Sequence, residues 1–298
     1  MQKLGISISL MEASVSPLYI TGKCRLHCHD QTALEHHLTE VLKYNAEQAS
    51  RIKQEISTLL SDNNDTSAHI HHFWVFAAEN ISAEAIRAIL LVLEHSELLH
   101  LLSYRNMFGD TALHWCARFQ RSDIMKLILE CLNEDEWSQL FSTAGFWGRI
   151  PLHLSCDRDD TESVELMLDN LRLDKQSLLL ETAHMSGDSP LHEAAARGYT
   201  DTMMVIRQSV TEDHWLDLLQ KKGYGGFTVL QGAAYLDKQG SITAIKDSVS
   251  DADWMKLLAI PLPEYNTSVH FHKGKYQEAG CRIDEMRIAE RVKNAIGM

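Results

Sequence analysis

The sequence predicts an all-α protein, a solenoid of short helical repeats. Three observations predict it. The stretch Gly109 to Ala117 returns at Gly148 to Cys156, at Gly187 to Ala195 and, more worn, at Gly226 to Ala234, stepping 39 residues each time. A fixed period of this size is the signature of a repeat architecture. Trp137, Trp215 and Trp254 keep the same step, with Gln176 holding the place between the first two. Around these markers apolar residues recur at helical spacing rather than alternating.

Each position in the repeated stretch has a physical use. Its glycine permits the positive φ of a tight turn. Pro151 and Pro190 stand where a helix begins and a missing N–H costs nothing. The hydroxyl of Thr111 or Ser189 just before can cap free helix N–H groups. Leu113, Leu152, Leu191 and Leu230 point to the core. The small pairs Cys116-Ala117, Ser155-Cys156, Ala194-Ala195 and Ala233-Ala234 let helices of neighbouring repeats approach closely.

These residues resemble the ankyrin repeat, whose signature is a glycine turn followed by Thr-Pro-Leu-His-x-Ala. Ser189-Pro190-Leu191-His192-Glu193-Ala194-Ala195 is the nearest match, with Gly198 where the family places a helix-ending glycine. The repeats depart from the family in length, since an ankyrin unit runs about 33 residues. The surplus falls at Leu132 to Trp137, Val210 to Trp215 and Val249 to Trp254. Asn133-x-x-Glu136 is a good helix start, and Thr211 and Ser250 begin looser versions. A short third helix per repeat follows, held by its tryptophan.

The register places repeats near 70–108, 109–147, 148–186, 187–225 and 226–264, together the stretch 69–264, with a degenerate C-terminal capping unit at 265–298. Trp74-Val75-Phe76-Ala77-Ala78 falls on Leu113 to Ala117, and Ile81, Ile86, Ile89, Leu90 and Leu93 continue as a second helix. At the far end Ile283, Met286, Val292 and Ile296 suggest a closing helix. Residues 1–68 divide into an N-terminal arm and a long helix from Asp30 to Leu60, whose Leu34, Leu38, Val41, Ala49, Ile52, Ile56 and Leu59 form one apolar seam. That helix covers the open end of the array as a cap, or lies in another protein's groove.

Composition narrows the function class. The chain is 45% hydrophobic and 23% charged, ordinary for a globular protein. No apolar run is long enough to span a bilayer, and Met1 to Thr21 lacks the charged start and apolar core of a secretory signal. A net charge of −13 argues against nucleic acid or anionic membrane as partner, and favours a basic protein over an acidic one. Two of the six cysteines, Cys116 and Cys156, fill small-residue slots of the repeat, the pattern of reduced thiols in a cytoplasmic protein.

No phosphate loop, nucleophile elbow or paired-carboxylate motif stands out, so no catalytic residue and no cofactor are assigned. Cys24, His27, Cys28, His29, His36 and His37 carry ligand chemistry, but without a Cys-x-x-Cys partner or a four-residue histidine spacing no metal is expected. His114, His153, His192 and His270 share one register. In the ankyrin resemblance that histidine bonds the adjoining turn, and Gln231 can hydrogen-bond in its place.

The resemblance further implies recognition at the turn tips and along the exposed side of the first helix. The tip residues are Met107, Phe108 and Asp110, then Phe146, Trp147 and Arg149, then Met185, Ser186 and Asp188, then Tyr224, Gly225 and Phe227. Aromatic and Arg side chains are what binding hot spots use. On the first helices Trp115, Arg118, Phe119, Arg158, Glu193, Arg197 and Tyr235 extend the surface. The expected function is a monomeric scaffold that binds a partner protein and regulates or inhibits it. The alternative is an enzyme or metal-dependent site in the first 70 residues, targeted by the repeats. Divergent ankyrin units of this kind also resemble those of bacterial proteins delivered into a host cytoplasm, with the tail from Glu278 to Met298 as a cap or an export signal.

Overall fold

A computed structural model of the chain describes residues 69–93 and 95–263, with isolated helical positions at 47, 50, 51, 54, 288, 290–292 and 294. The N-terminal arm, most of the expected long helix, the cysteine–histidine cluster near residue 28, His270 and most of the C-terminal unit lie outside the described residues.

The chain falls into two compact units, Met1–Gly145 and Phe146–Met298. The first contains α1 (His69–Asn80), α2 (Ala83–Val92), α3 (His95–Ser103), α4 (Ala112–Arg118), α5 (Ser122–Glu130) and α6 (Glu134–Ser142). The second contains α7 (Pro151–Cys156), α8 (Thr161–Asp169), α9 (Leu173–Glu181), α10 (Pro190–Arg197), α11 (Thr200–Ser209), α12 (Glu212–Gln220), α13 (Val229–Tyr235), α14 (Gln239–Asp247) and α15 (Asp251–Ala259). Short 3-10 turns at Phe146–Gly148 and Tyr224–Gly226 precede α7 and α13. Among the described residues the one β-type pairing is an isolated bridge between Lys222 and Thr228. The fold class is therefore the all-α, ankyrin-type helical repeat that the period predicts.

Among the described residues every repeat has three helices, and like packs on like. In the second unit α7, α10 and α13 form one row, α8, α11 and α14 another, and α12 lies beside α15. In the first unit α1 packs on α4, and α2 on α5. The small pairs make this possible: Cys116, Ala117, Cys156, Ala194, Ala195, Ala233 and Ala234 are all buried. Leu113, Leu152, Leu191 and Leu230 are buried as expected. In the degenerate first repeat Ile81, Ile86, Ile89 and Leu90 are buried, whereas Leu93 caps the end of α2 and is half-buried.

The third helix is real and the tryptophans hold it. Trp137, Trp215 and Trp254 are buried, and Gln176 is buried in their place in α9. Trp215 donates its indole N–H to Ser248 Oγ at 3.0 Å. Asn133 accepts from the Asp135 and Glu136 amides, and Glu136 returns a carboxylate to the Asn133 N–H at 3.0 Å, a complete capping box. Thr211 and Ser250 cap α12 and α15 through their hydroxyls alone.

The end of each first helix turns through the left-handed region at Gln120, Asp159, Gly198 and Asp237, again 39 residues apart. Only one copy is the glycine that this backbone favours. Toward the C-terminus Arg291 bonds the carbonyls of Ala234 and Tyr235 and pairs with Asp237 at 3.4 Å, and Ile288 and Val292 are buried.

Candidate protein-binding surface

Three of the turns share one hydrogen-bond scheme. Asn106 N–H donates to Asp110 O and Gly109 N–H to Asn106 O; His184 with Asp188 and Gly187, and Gly223 with Phe227 and Gly226, repeat it. The glycine with positive φ that closes each turn is Gly109, Gly148, Gly187 or Gly226. Behind the turn, the repeat histidine locks the start of the first helix. Nδ1 of His114, His153 and His192 accepts the N–H of the residue three before it, at 3.0, 3.3 and 3.4 Å. With Nδ1 so occupied, Nε2 carries the proton and is free to donate. His153 Nε2 sends it to Asp188 O of the following turn at 3.1 Å. Burial, helped by the nearby His184, pushes the His153 pKa down to about 3, so the ring stays neutral. Gln231 reproduces both halves, accepting from Thr228 N–H and donating to Ile260 O at 2.8 Å. The histidine register is structural, as expected.

In the first unit the tip residues Met107 and Phe108 are 86% and 49% exposed. Asn106 Oδ1 accepts from the Phe108 and Asp110 amides and so presents the Phe108 backbone outward. Asp110 departs from its expected place at the surface. It is buried, paired to Arg118 at 3.3 Å, because the turn folds its side chain back toward α4. The Arg118 guanidinium lies 4.9 Å from the centre of the Trp115 ring, and Trp115 stacks with Phe119 at 6.1 Å. Trp115, Arg118 and Phe119 thus form one half-exposed aromatic–cation cluster.

In the second unit Phe146 and Trp147 are exposed and meet edge to face at 5.8 Å. Trp147 sits at φ 61°, ψ 22°, left-handed backbone that a bulky side chain seldom adopts. Its carbonyl accepts the N–H of Met185, itself 78% exposed, so the two tips are neighbours. Phe227 and Tyr235 stack at 5.3 Å beside Tyr224, all three half-buried. Asp188 is half-buried, and its Oδ1 accepts the Tyr224 N–H at 2.7 Å.

The charged residues of this unit join in a chain that the sequence did not disclose. Arg149 Nη2 meets Glu193 Oε1 at 2.5 Å, and Arg197 Nη2 meets Asp157 Oδ1 at 2.5 Å. Arg149 also lies 4.0 Å from Asp157, linking the two pairs. Glu193, expected on the exposed side of α10, is instead buried, because Arg149 folds over it from the preceding turn. Arg158 is exposed, and Arg149 and Arg197 are partly so. His184 is the residue missed. Its Nε2 lies 3.0 Å from Glu193 Oε1, and its Nδ1 accepts Ser186 N–H at 3.1 Å. The signal in the sequence was a register shared by Asn106, Gly145, His184 and Gly223, where the residue type changes with each repeat.

His184, Asp188 and Glu193 offer donor atoms within 4.8 Å of one another, close enough to hold a metal ion. The hydrogen bonds assign them otherwise. Ser186 N–H fills Nδ1, which puts the His184 proton on Nε2, aimed at Glu193. The same carboxylate oxygen is taken by Arg149. The arrangement orders the face.

Among the described residues no helix is long and apolar enough to cross a membrane. No curated protein matches the chain. The family model for ankyrin repeats matches residues 74–177 in three copies. Repeats of this family are in general protein–protein interaction modules, and the 39-residue step carries the same unit on to residue 263. Residues 74–177 are thus ankyrin repeats.

Proposed function

We propose that the chain is a scaffold that docks a partner protein on its turn tips and the exposed side of its first helices, and so regulates or inhibits that partner. One observation carries this reading. Trp147 is 40% exposed on backbone that costs a bulky residue on the order of 1–2 kcal/mol, at a register where Gly225 serves two repeats later. A large ring kept at such a place, beside exposed Phe146 and Met185, has the make-up of an interface anchor. Cys116 and Cys156 are buried free thiols, which fits a cytoplasmic monomer in a reducing compartment. Binding rather than catalysis suits a face that is ordered by hydrogen bonds and ion pairs.

The test compares the intact chain with a variant carrying Phe146→Ala and Trp147→Gly as baits in quantitative affinity capture. Partners held by the intact chain and lost by the variant, with unfolding midpoints of both recorded, are the expected result. Equal capture of every partner by a folded variant overturns the assignment of this surface.

A further inference from the structure

One histidine orders the turn that carries Met185, and it does so as a neutral ring. We infer that this turn is an acid-sensitive switch: a second proton on His184 releases the Ser186 amide, and the tips of the second unit lose their ordered form. This rests on the docking function proposed above and names how the same face is regulated. In the neutral ring Nδ1 accepts Ser186 N–H at 3.1 Å, and Nε2 donates to Glu193 Oε1 at 3.0 Å. Both nitrogens are used, so a further proton binds at Nδ1. There it turns the acceptor into a donor that faces the Ser186 N–H. Met185 stands between the two residues, 78% exposed, and its N–H bonds the Trp147 carbonyl at 2.9 Å. Trp147 in turn meets Phe146 edge to face at 5.8 Å. Release of Ser186 is therefore felt across all three apolar tip residues.

The surroundings direct the change to the tip. Among the described residues the ring faces Glu193 of α10, which holds Arg149 at 2.5 Å, and Asp188 of its own turn at 3.9 Å. The His153 ring of α7 is centred 5.3 Å away. Glu193 keeps its bond to Nε2 in either state of the ring, so the change falls on the Ser186 side. His153 does not share the titration, since burial holds its pKa down at about 3. Its Nε2 goes on bonding Asp188 O at 3.1 Å, where the His184 N–H also donates at 3.0 Å. The base of the turn stays fastened while its tip is let go. Asn106 holds the same register in the first unit, and its Oδ1 accepts the Phe108 and Asp110 amides at 2.8 and 2.9 Å. An amide oxygen orders that turn without taking a proton. Gly145 and Gly223 fill the register elsewhere with no side chain at all. Of the four residues, His184 alone offers its turn an acceptor that titrates.

The test follows the isotopically labelled full-length chain by NMR from about pH 8 to about pH 5, the range in which imidazole ordinarily titrates. A His184→Asn variant runs beside it, supplying the acceptor that Asn106 uses and no site for the proton. The expected result is an Nε2–H ring at high pH, with the Ser186 and Met185 amides and the Trp147 indole shifting together as the imidazolium forms. The variant holds those signals still. A ring that protonates while Ser186 stays unmoved, a ring neutral across the range, or the same titration in the variant overturns the switch. Should the variant not fold, the titration of the intact chain decides alone. A second arm repeats the affinity capture at both ends of the range, with the Phe146→Ala/Trp147→Gly variant included. Partners that need Phe146 and Trp147 are expected to be held roughly tenfold more weakly at low pH, about the worth of one ordering hydrogen bond. The His184→Asn variant holds them equally at both. Such partners held equally by an intact chain whose turn titrates overturn the regulation and keep the docking surface. Capture indifferent to Phe146 and Trp147 overturns the docking reading instead, and the NMR titration still decides the turn.

Discussion

Residues 149, 184 and 193 and residues 188, 223 and 232 occupy the same three places in successive repeats, yet they are filled by different physics. The first set is Arg149, His184 and Glu193, a charged, hydrogen-bonded trio with Glu193 buried at its centre. The second is Asp188, Gly223 and Gly232. There the aspartate turns inward onto the following repeat, an added Cβ on Gly223 would stand 2.3 Å from its carboxylate, and Gly232 faces open space. The first unit shows the aspartate–glycine solution again, with an added Cβ on Gly145 only 2.2 Å from Asp110. Residues at these places are thus chosen as sets. The backbone period is indifferent to which set is used, so the set is where one repeat differs from the next.

The largest effect comes from breaking the charged set at its centre. Glu193→Ala deprives the Arg149 guanidinium and the His184 N–H of their nearest carboxylate, with Asp157 and Asp188 standing off at 4.0 and 3.9 Å. The expected loss is about 3 kcal/mol, since removing one partner strands a mostly buried charge. Urea unfolding of the intact and variant chains measures it. A loss well under 1 kcal/mol would show that Arg149 simply swings to water, and that the trio orders nothing.

Next in size is the aspartate–glycine set. Gly223 needs no special φ; it is glycine because the Asp188 carboxylate and the His192 ring crowd the space a side chain would fill. Gly223→Ala should cost about 2 kcal/mol by overpacking. Removing the obstruction with Asp188→Ala should make the second substitution cheaper than it is alone, a coupling that a double-mutant cycle reads directly. Additive costs would mean that the two positions are independent and that the pairing is an accident of sequence.

How much of this the sequence disclosed depends on the range of the interaction. The helices, the third helix with its tryptophan and the histidine lock follow from signals within a few residues, such as Asn133 with Glu136 or Thr228 with Gln231, and the 39-residue step multiplies them. The tips were legible for the same reason, and Met107, Phe108, Phe146 and Trp147 stand exposed. Asp110 and Glu193 were not. A carboxylate on a polar-looking helix face reads as solvated, and its burial here is the work of Arg118 in one case and of Arg149, 44 residues away, in the other. His184 escaped because its partner Glu193 belongs to the next helix, and no local pattern announces it.

The smallest effect tests the empty corner of the comparison. Gly232 lies inside α13 at the place Glu193 holds in α10, and an added Cβ there meets nothing within 4 Å. No arginine stands over it, because the turn before carries Asp188, and no histidine faces it, because residue 223 is glycine. Glycine in a helix interior costs roughly 0.5–1 kcal/mol relative to alanine through backbone freedom in the unfolded chain. Gly232→Ala is therefore expected to raise the unfolding midpoint by a free energy in that range while leaving partner binding unchanged. A gain confirms that the position is structurally idle once its set is absent. A loss of stability would sink that reading, since a buried neighbour would then have to occupy the space. Loss of binding with stability gained would place Gly232 on the docking face itself, where a partner's backbone needs the room that Glu193 fills one repeat earlier.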